Sequence, residues 1–153
     1  VLNEIKPTEV RIRSLAILED SPLYAKWQAG DFEAPTEDQM IDELKKVIEN
    51  LNFDCIFETL QMTNVLFNVR GRLSTGKKEM LAKIAQYKAM SLLERLRFRL
   101  NRYLYDGYLD YIKVDAQLYQ LIKEAKESLE KGLPEAPKKV EQAIFAIKSK
   151  GIP

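Results

Sequence analysis

The residue run with the plainest chemical meaning is Gly71-Arg72-Leu73-Ser74-Thr75-Gly76-Lys77-Lys78. Its glycines and first lysine sit at the spacing of a phosphate-cradling loop, G-x-x-x-x-G-K-[ST]. The last position is Lys78, so the hydroxyl that would hold Mg²⁺ is missing. Such a loop also needs a strand before it and a parallel sheet after it. Val65, Leu66, Phe67 and Val69 could imitate the strand, but no later apolar run ends in the acidic residue that completes a magnesium site. The expected reading is a turn at Ser74-Thr75-Gly76 and then a basic helix start. Asp106, Asp110 and Asp115 bring carboxylates close in sequence, without the loop spacing and glycine of a calcium site. No metal or cofactor is expected.

The chain has no histidine. That removes the commonest general base and metal ligand, and with it Ser-His and Cys-His catalysis. Carboxylate and lysine chemistry survive, but a non-enzyme is expected. The single cysteine, Cys55, lies in the apolar stretch Phe53-Asp54-Cys55-Ile56-Phe57 and reads as a buried structural thiol. One cysteine forms no intramolecular disulfide and fits a reducing compartment.

Charge is blocked along the chain under a total of +1. Residues 1–69 hold 6 basic and 13 acidic residues, residues 70–102 hold 10 and 2, and residues 103–153 hold 8 of each. Within the basic block, Lys88, Arg95, Arg99 and Arg102 recur at spacings of 7, 4 and 3, one stripe on a continuous helix, with Lys77 on the same track. A cationic stripe beside Tyr87 and Tyr103 could track a nucleic-acid backbone. It could equally pair with the acidic first half of the chain or with a neighbouring subunit. The acidic counterweight favours the second. Tyr103, Tyr105, Tyr108 and Tyr111 fall on all sides of a helix, which suits a protein interface better than a stacking platform.

The elements that must position these residues read as helical nearly throughout. Thr8 can cap a first segment over 9–19, where Val10, Ile12, Leu15 and Leu18 leave helix and strand both open. Ser21-Pro22 starts a short helix with Leu23, Tyr24 and Trp27, closed by Gly30. Thr36 with Gln39 makes a capping box for a helix over 37–52. Residues 53–70 favour helix over strand. From Lys77 the pattern runs without Pro or Gly to Asp106, and on past Gly107 toward Lys113. Thirty residues of helix span about 45 Å, the full width of a domain of this size. Asp115 caps the next helix, ended by Gly132 and Pro134, and Pro137 starts the last. The apolar residues of the long helix exceed one face, which asks for burial against a partner chain.

The run Leu93-Glu94-Arg95-Leu96-Arg97-Phe98, then Leu100, then Tyr103-Leu104, resembles the central long helix of GINS subunits. GINS is the four-subunit complex that joins the replicative helicase in archaea and eukaryotes. Leu23, Trp27, Pro35 and the apolar face from Met40 to Leu51 resemble the early helices of subunits that place their helical domain first. The resemblance covers residues 23–112. It implies DNA replication as the setting, scaffolding of sister subunits as the role, and no catalysis. The chain departs from it at Asp106, Gly107 and Asp110, where the family helix stays basic. No segment within residues 1–153 reads as the small β-rich domain most such subunits add.

The expectation is a single all-α domain over 1–153, a bundle of five or six helices with one long central helix covering at least 83–102. The expected function is a non-catalytic assembly subunit bound to sister protein subunits, in a homo- or hetero-oligomer. Lys88, Arg95, Arg97, Arg99, Arg102, Tyr103 and Tyr105 are the expected interface or nucleic-acid stripe. The alternative is a helical nucleic-acid-binding accessory subunit, such as a primase accessory chain or the small subunit of a ribonucleoprotein effector. No apolar run approaches a membrane span, and no secretory pattern opens the chain, so an intracellular location is expected, cytoplasmic in a prokaryote and nuclear in a eukaryote.

Overall fold

A computed structural model describes residues 1–104 and 106–150, without the side chains of 106–109. In chain order the elements are α1 (Leu2–Ile5), β1 (Glu9–Arg11), α2 (Pro22–Ala29), α3 (Glu37–Asn50), β2 (Ile56–Glu58), β3 (Arg70–Arg72), α4 (Leu73–Ala89), α5 (Leu92–Tyr103), α6 (Asp106–Val114), α7 (Ala116–Glu130) and α8 (Ala136–Ser149). The fold is mostly helical, with 61% of residues in helix. It is not all-α: β1, β2 and β3 form a sheet in that order. The chain divides into two compact units. The first joins Val1–Leu15 to Pro35–Ala89, and the second joins Ala16–Ala34 to Met90–Pro153.

The first unit is a small sheet backed by α3 and α4. β1 runs parallel to β2, pairing Val10 with Phe57, and β2 runs antiparallel to β3, pairing Phe57 with Gly71. Val10 and Phe57 are buried. With Ile41, Leu44 and Ile48 of α3 and Met80, Ile84 and Tyr87 of α4 they make the core of this unit. The stretch expected as helix over 53–70 is therefore strand and loop. Cys55, Phe57 and Thr59 are buried while Ile56 and Leu60 are exposed, the period-two alternation of a strand. Apolar residues on both faces hid that alternation.

Between β2 and β3 the chain is irregular, and Asn64 holds it. Asn64 Nδ2 donates to the Ile12 carbonyl at 2.8 Å and the Thr59 carbonyl at 2.9 Å, and its Oδ1 accepts from the Ser14 backbone N–H at 2.7 Å. These bonds satisfy backbone groups that no ladder reaches. Gly71 has φ +142°, a backbone that L side chains rarely adopt, and a Cβ there would lie 3.4 Å from Met80 Cε. The glycine lets α4 fold straight back onto β3.

The long central helix expected over 83–102 is two helices. Ser91 stops the first and starts the second. Its backbone is extended (φ −60°, ψ 161°), and its hydroxyl accepts from the Glu94 N–H at 3.3 Å while Glu94 Oε2 accepts from the Ser91 N–H at 2.7 Å. This reciprocal box satisfies donors that a helix start leaves open. It overrides the helix-forming residues on either side.

The second unit is a helical assembly. α5 presents Leu96, Arg99, Leu100 and Tyr103 at helical spacing to α7 and α8. α7 and α8 pack closely, with Ala125 and Ala143 fully buried beside Ile122, Leu129, Val140, Ile144 and Ile147. α2 buries no residue completely and is held by its rings. Trp27 stacks on Phe145 with centroids 4.2 Å apart, and Tyr24 flanks both. The Glu19 N–H donates to the Ser149 carbonyl at 3.1 Å, tying the approach to α2 to the end of α8.

Candidate interaction surfaces

The phosphate-loop lookalike is neither loop nor cradle. Gly71 and Arg72 belong to β3, and α4 begins at Leu73, so Ser74, Thr75 and Gly76 are helical rather than a turn. A helix start can hold an anion through its free N–H groups. Here the Asp54 carboxylate already holds it, accepting from the Ser74 N–H at 3.0 Å and pairing with Arg72. Hydrogen bonds from Ser74, then from Arg72, hold the Asp54 carboxyl below the usual carboxylate range. Lys77, the lysine of the motif, turns the other way. Its Nζ donates to the Glu49 and Leu51 carbonyls at 2.9 and 3.2 Å, capping the end of α3.

The three carboxylates also have separate tasks. Asp115 caps α7, accepting from the Leu118 N–H at 3.0 Å, and it pairs with Lys150 at 3.4 Å. The first of these bonds holds its carboxyl below the usual range. Asp110 pairs with Lys113 at 3.7 Å on α6. The Asp106 side chain lies outside the described residues. Among the described residues no three His, Cys, Asp or Glu side chains gather in a way that could hold a metal. Cys55 is buried, and burial, with a smaller push from Asp54, raises its thiol pKa. A thiol so placed is less nucleophilic, in keeping with a structural role.

The expected cationic stripe is divided by the helix break. Lys88 lies on α4 in the first unit and pairs with Asp42 of α3, so part of the basic block is balanced by the acidic first half of the chain. The remaining described members lie on α5 in the second unit, where they do not share one exposure. Arg99 is 2% exposed and bonded to Glu141 of α8. Tyr103 is fully buried beneath Lys148, whose Nζ stands 5.3 Å from the ring centroid. That is cation–π distance. Arg95 and Arg102 flank them, half-buried, and Arg97 faces solvent. Tyr105 lies outside the described residues. The spacing of 3 and 4 that suggested a binding stripe is, for Arg99 and Tyr103, the spacing of a helix face turned inward.

A surface on the first unit goes unannounced by the sequence pattern. One face of the sheet covers the core. The other carries Glu9, Arg11, Ile56, Glu58, Arg70 and Arg72, with Arg13 continuing the β1 alternation. Arg11 pairs with Glu9 and Glu58, and Arg72 with Asp54. Three of the first unit's four arginines lie on this face, and the fourth, Arg13, just beyond β1; all four are exposed. The Glu9-Val10-Arg11-Ile12-Arg13 alternation is the signal that could have found it, through the strand option left open for that segment. The second unit exposes Tyr111 and Val114 of α6 and Tyr119 of α7, together with Leu92 and Phe98 of α5.

Among the described residues no helix is long and apolar enough to cross a membrane. Comparison of the chain with models of protein families, with curated proteins and with solved structures gives no match.

Proposed function

We propose that this chain is a non-catalytic assembly subunit that scaffolds partner proteins. The observation that carries the reading is the exposure of large apolar side chains on the second unit: Val114 is 84% exposed, Tyr119 53%, Leu92 52% and Tyr111 51%. Single exposed apolar residues are common; four large ones more than half exposed, drawn from α5, α6 and α7, support an interaction role. The placement of the titratable groups supports the same reading. The carboxylates with shifted pKa values cap helices, and the lysine of the phosphate motif caps α3, so their chemistry is spent on the fold.

The GINS-like role in DNA replication is the specific form of this proposal. It now rests on a helix that starts at Leu92, not on the middle of a long one, and on Leu23 and Trp27 of the early helix. The nucleic-acid alternative read Lys88 and the arginines as one stripe on a continuous helix, whereas α4 and α5 are separate helices. Sedimentation equilibrium of the purified chain tests the proposal. An association that persists at high salt is expected. A stable monomer that mixed candidate subunits leave unchanged would count against it.

A further inference from the structure

We propose that the open face of the β1-β2-β3 sheet is a docking surface for a protein segment that alternates acidic with apolar side chains. This rests on the assembly reading and names the partner's chemistry for one surface.

Three observations meet on that face. First, it concentrates one residue type. Of the first unit's arginines, Arg11, Arg70 and Arg72 are on this face and Arg13 lies two residues beyond β1, whereas its lysines lie on other elements. Arginine is the cation most used at protein interfaces, because its planar fork binds a carboxylate through two hydrogen bonds.

Second, the face divides its arginines by task. Arg11 is held by Glu9 and Glu58, and Arg72 by Asp54. Arg13 and Arg70 are exposed and make no hydrogen bond or ion pair among the described residues. Two guanidiniums therefore stand ready for carboxylates that the first unit does not supply.

Third, apolar area shares the face, with Ile56 set between Glu9 and Arg72. Ile56, on the central strand, is 46% exposed, and Leu60, just beyond that strand, is 38% exposed. Apolar residues framed by charged ones are the layout of an interface patch with a polar rim.

The occupant is a protein rather than a nucleic acid because of the interleaved carboxylates. Glu9, Glu58 and Asp54 set three negative charges among the four arginines, so the face is nearly neutral. Counterion release, which drives backbone binding, needs many uncompensated cations. A phosphodiester chain would also lie against those carboxylates. An acidic peptide needs only two favourable positions, with apolar contact beside them.

The test uses the full chain and three fluorescent probes: a capped peptide alternating Asp with Leu, the same peptide with Asn for Asp, and oligo(dT). The acidic peptide is expected to bind at least about tenfold more tightly than the Asn peptide, and R13A/R70A to weaken it by about tenfold. The variant's circular dichroism should match the wild type, since both arginines are exposed. R13K/R70K should restore only part of the affinity, because a point charge lacks the fork. Equal affinity for both peptides, no binding of the acidic one, or indifference to R13A/R70A would overturn the proposal. So would tighter binding of oligo(dT) through the same two arginines. If the peptide fails while subunit assembly survives R13A/R70A, this surface is refuted and the assembly reading stands. A strict monomer that binds the acidic peptide through Arg13 and Arg70 keeps the surface and refutes the assembly reading.

Discussion

Replacing Ser91 with alanine asks whether the chain truly breaks between α4 and α5. In the folded protein the Ser91 hydroxyl accepts from the Glu94 N–H at 3.3 Å, and Glu94 Oε2 accepts from both the backbone N–H and the hydroxyl of Ser91 at 2.7 Å. Ser91→Ala removes the acceptor for one helix-start donor and the hydroxyl that donates to Glu94. Loss of an N-cap of this kind costs about 1 kcal/mol. With a urea slope of about 2 kcal/mol per molar, the midpoint should fall by about 0.5 M. Trp27 is the only tryptophan and stacks on Phe145 within the second unit, so its fluorescence follows the unit that α5 belongs to. The effect carries a pH signature. Hydrogen bonds from the Ser91 hydroxyl, then its N–H, hold the Glu94 carboxyl below the usual range. A depressed carboxyl stabilises above its unfolded pKa, about 4.3, and loses that contribution as pH falls through the folded value. The gap between wild type and Ser91→Ala should therefore narrow in acid. Alanine is also the best helix former. If α4 and α5 were one helix, Ser91→Ala would stabilise it. An unchanged or raised midpoint would refute the break.

Two further substitutions address the first unit. Asp54→Asn removes the carboxylate at the start of α4 and its pair with Arg72. Because that carboxyl is held low, the wild type should lose its advantage over Asp54→Asn only as pH falls below about 4, read by urea unfolding followed by circular dichroism. Gly71→Ala forces a side chain into φ +142° against Met80 and should cost about 1–3 kcal/mol in the same assay. An alanine variant as stable as wild type would show that β3 does not turn into α4 as described.

What was legible in the sequence was what is decided within three or four residues. Ser21-Pro22, Thr36 with Gln39, and Asp115 each cap a helix where the residue types alone place one. The Ser91-Leu92-Leu93-Glu94 box follows the same rule as Thr36 and Gln39. It was hidden because Ala89, Met90, Leu92 and Leu93 all favour helix and no Pro or Gly marks the break. The sheet was hidden for a different reason. The Glu9-to-Arg13 alternation left helix and strand both open, apolar residues on both faces masked β2, and the pairing of Val10 with Phe57 joins distant parts of the chain. The surroundings of the basic stripe were hidden for both reasons together. The break separates Lys88 from the arginines, and burial of Arg99 and Tyr103 depends on α8, which no local pattern around them announces. Arg11 and Arg70 lie far apart in sequence, and only the sheet, pairing both strands with β2, brings them to one face.

Assembly of this chain with proteins is measured by sedimentation equilibrium at micromolar concentration, at low and at high salt, with and without oligo(dT). The expected result is a species heavier than one chain, or aggregation relieved by a partner subunit, with little loss at high salt because apolar burial carries it. A clean monomer alone, joined to oligo(dT) tightly at low salt and released at high salt, would contradict it.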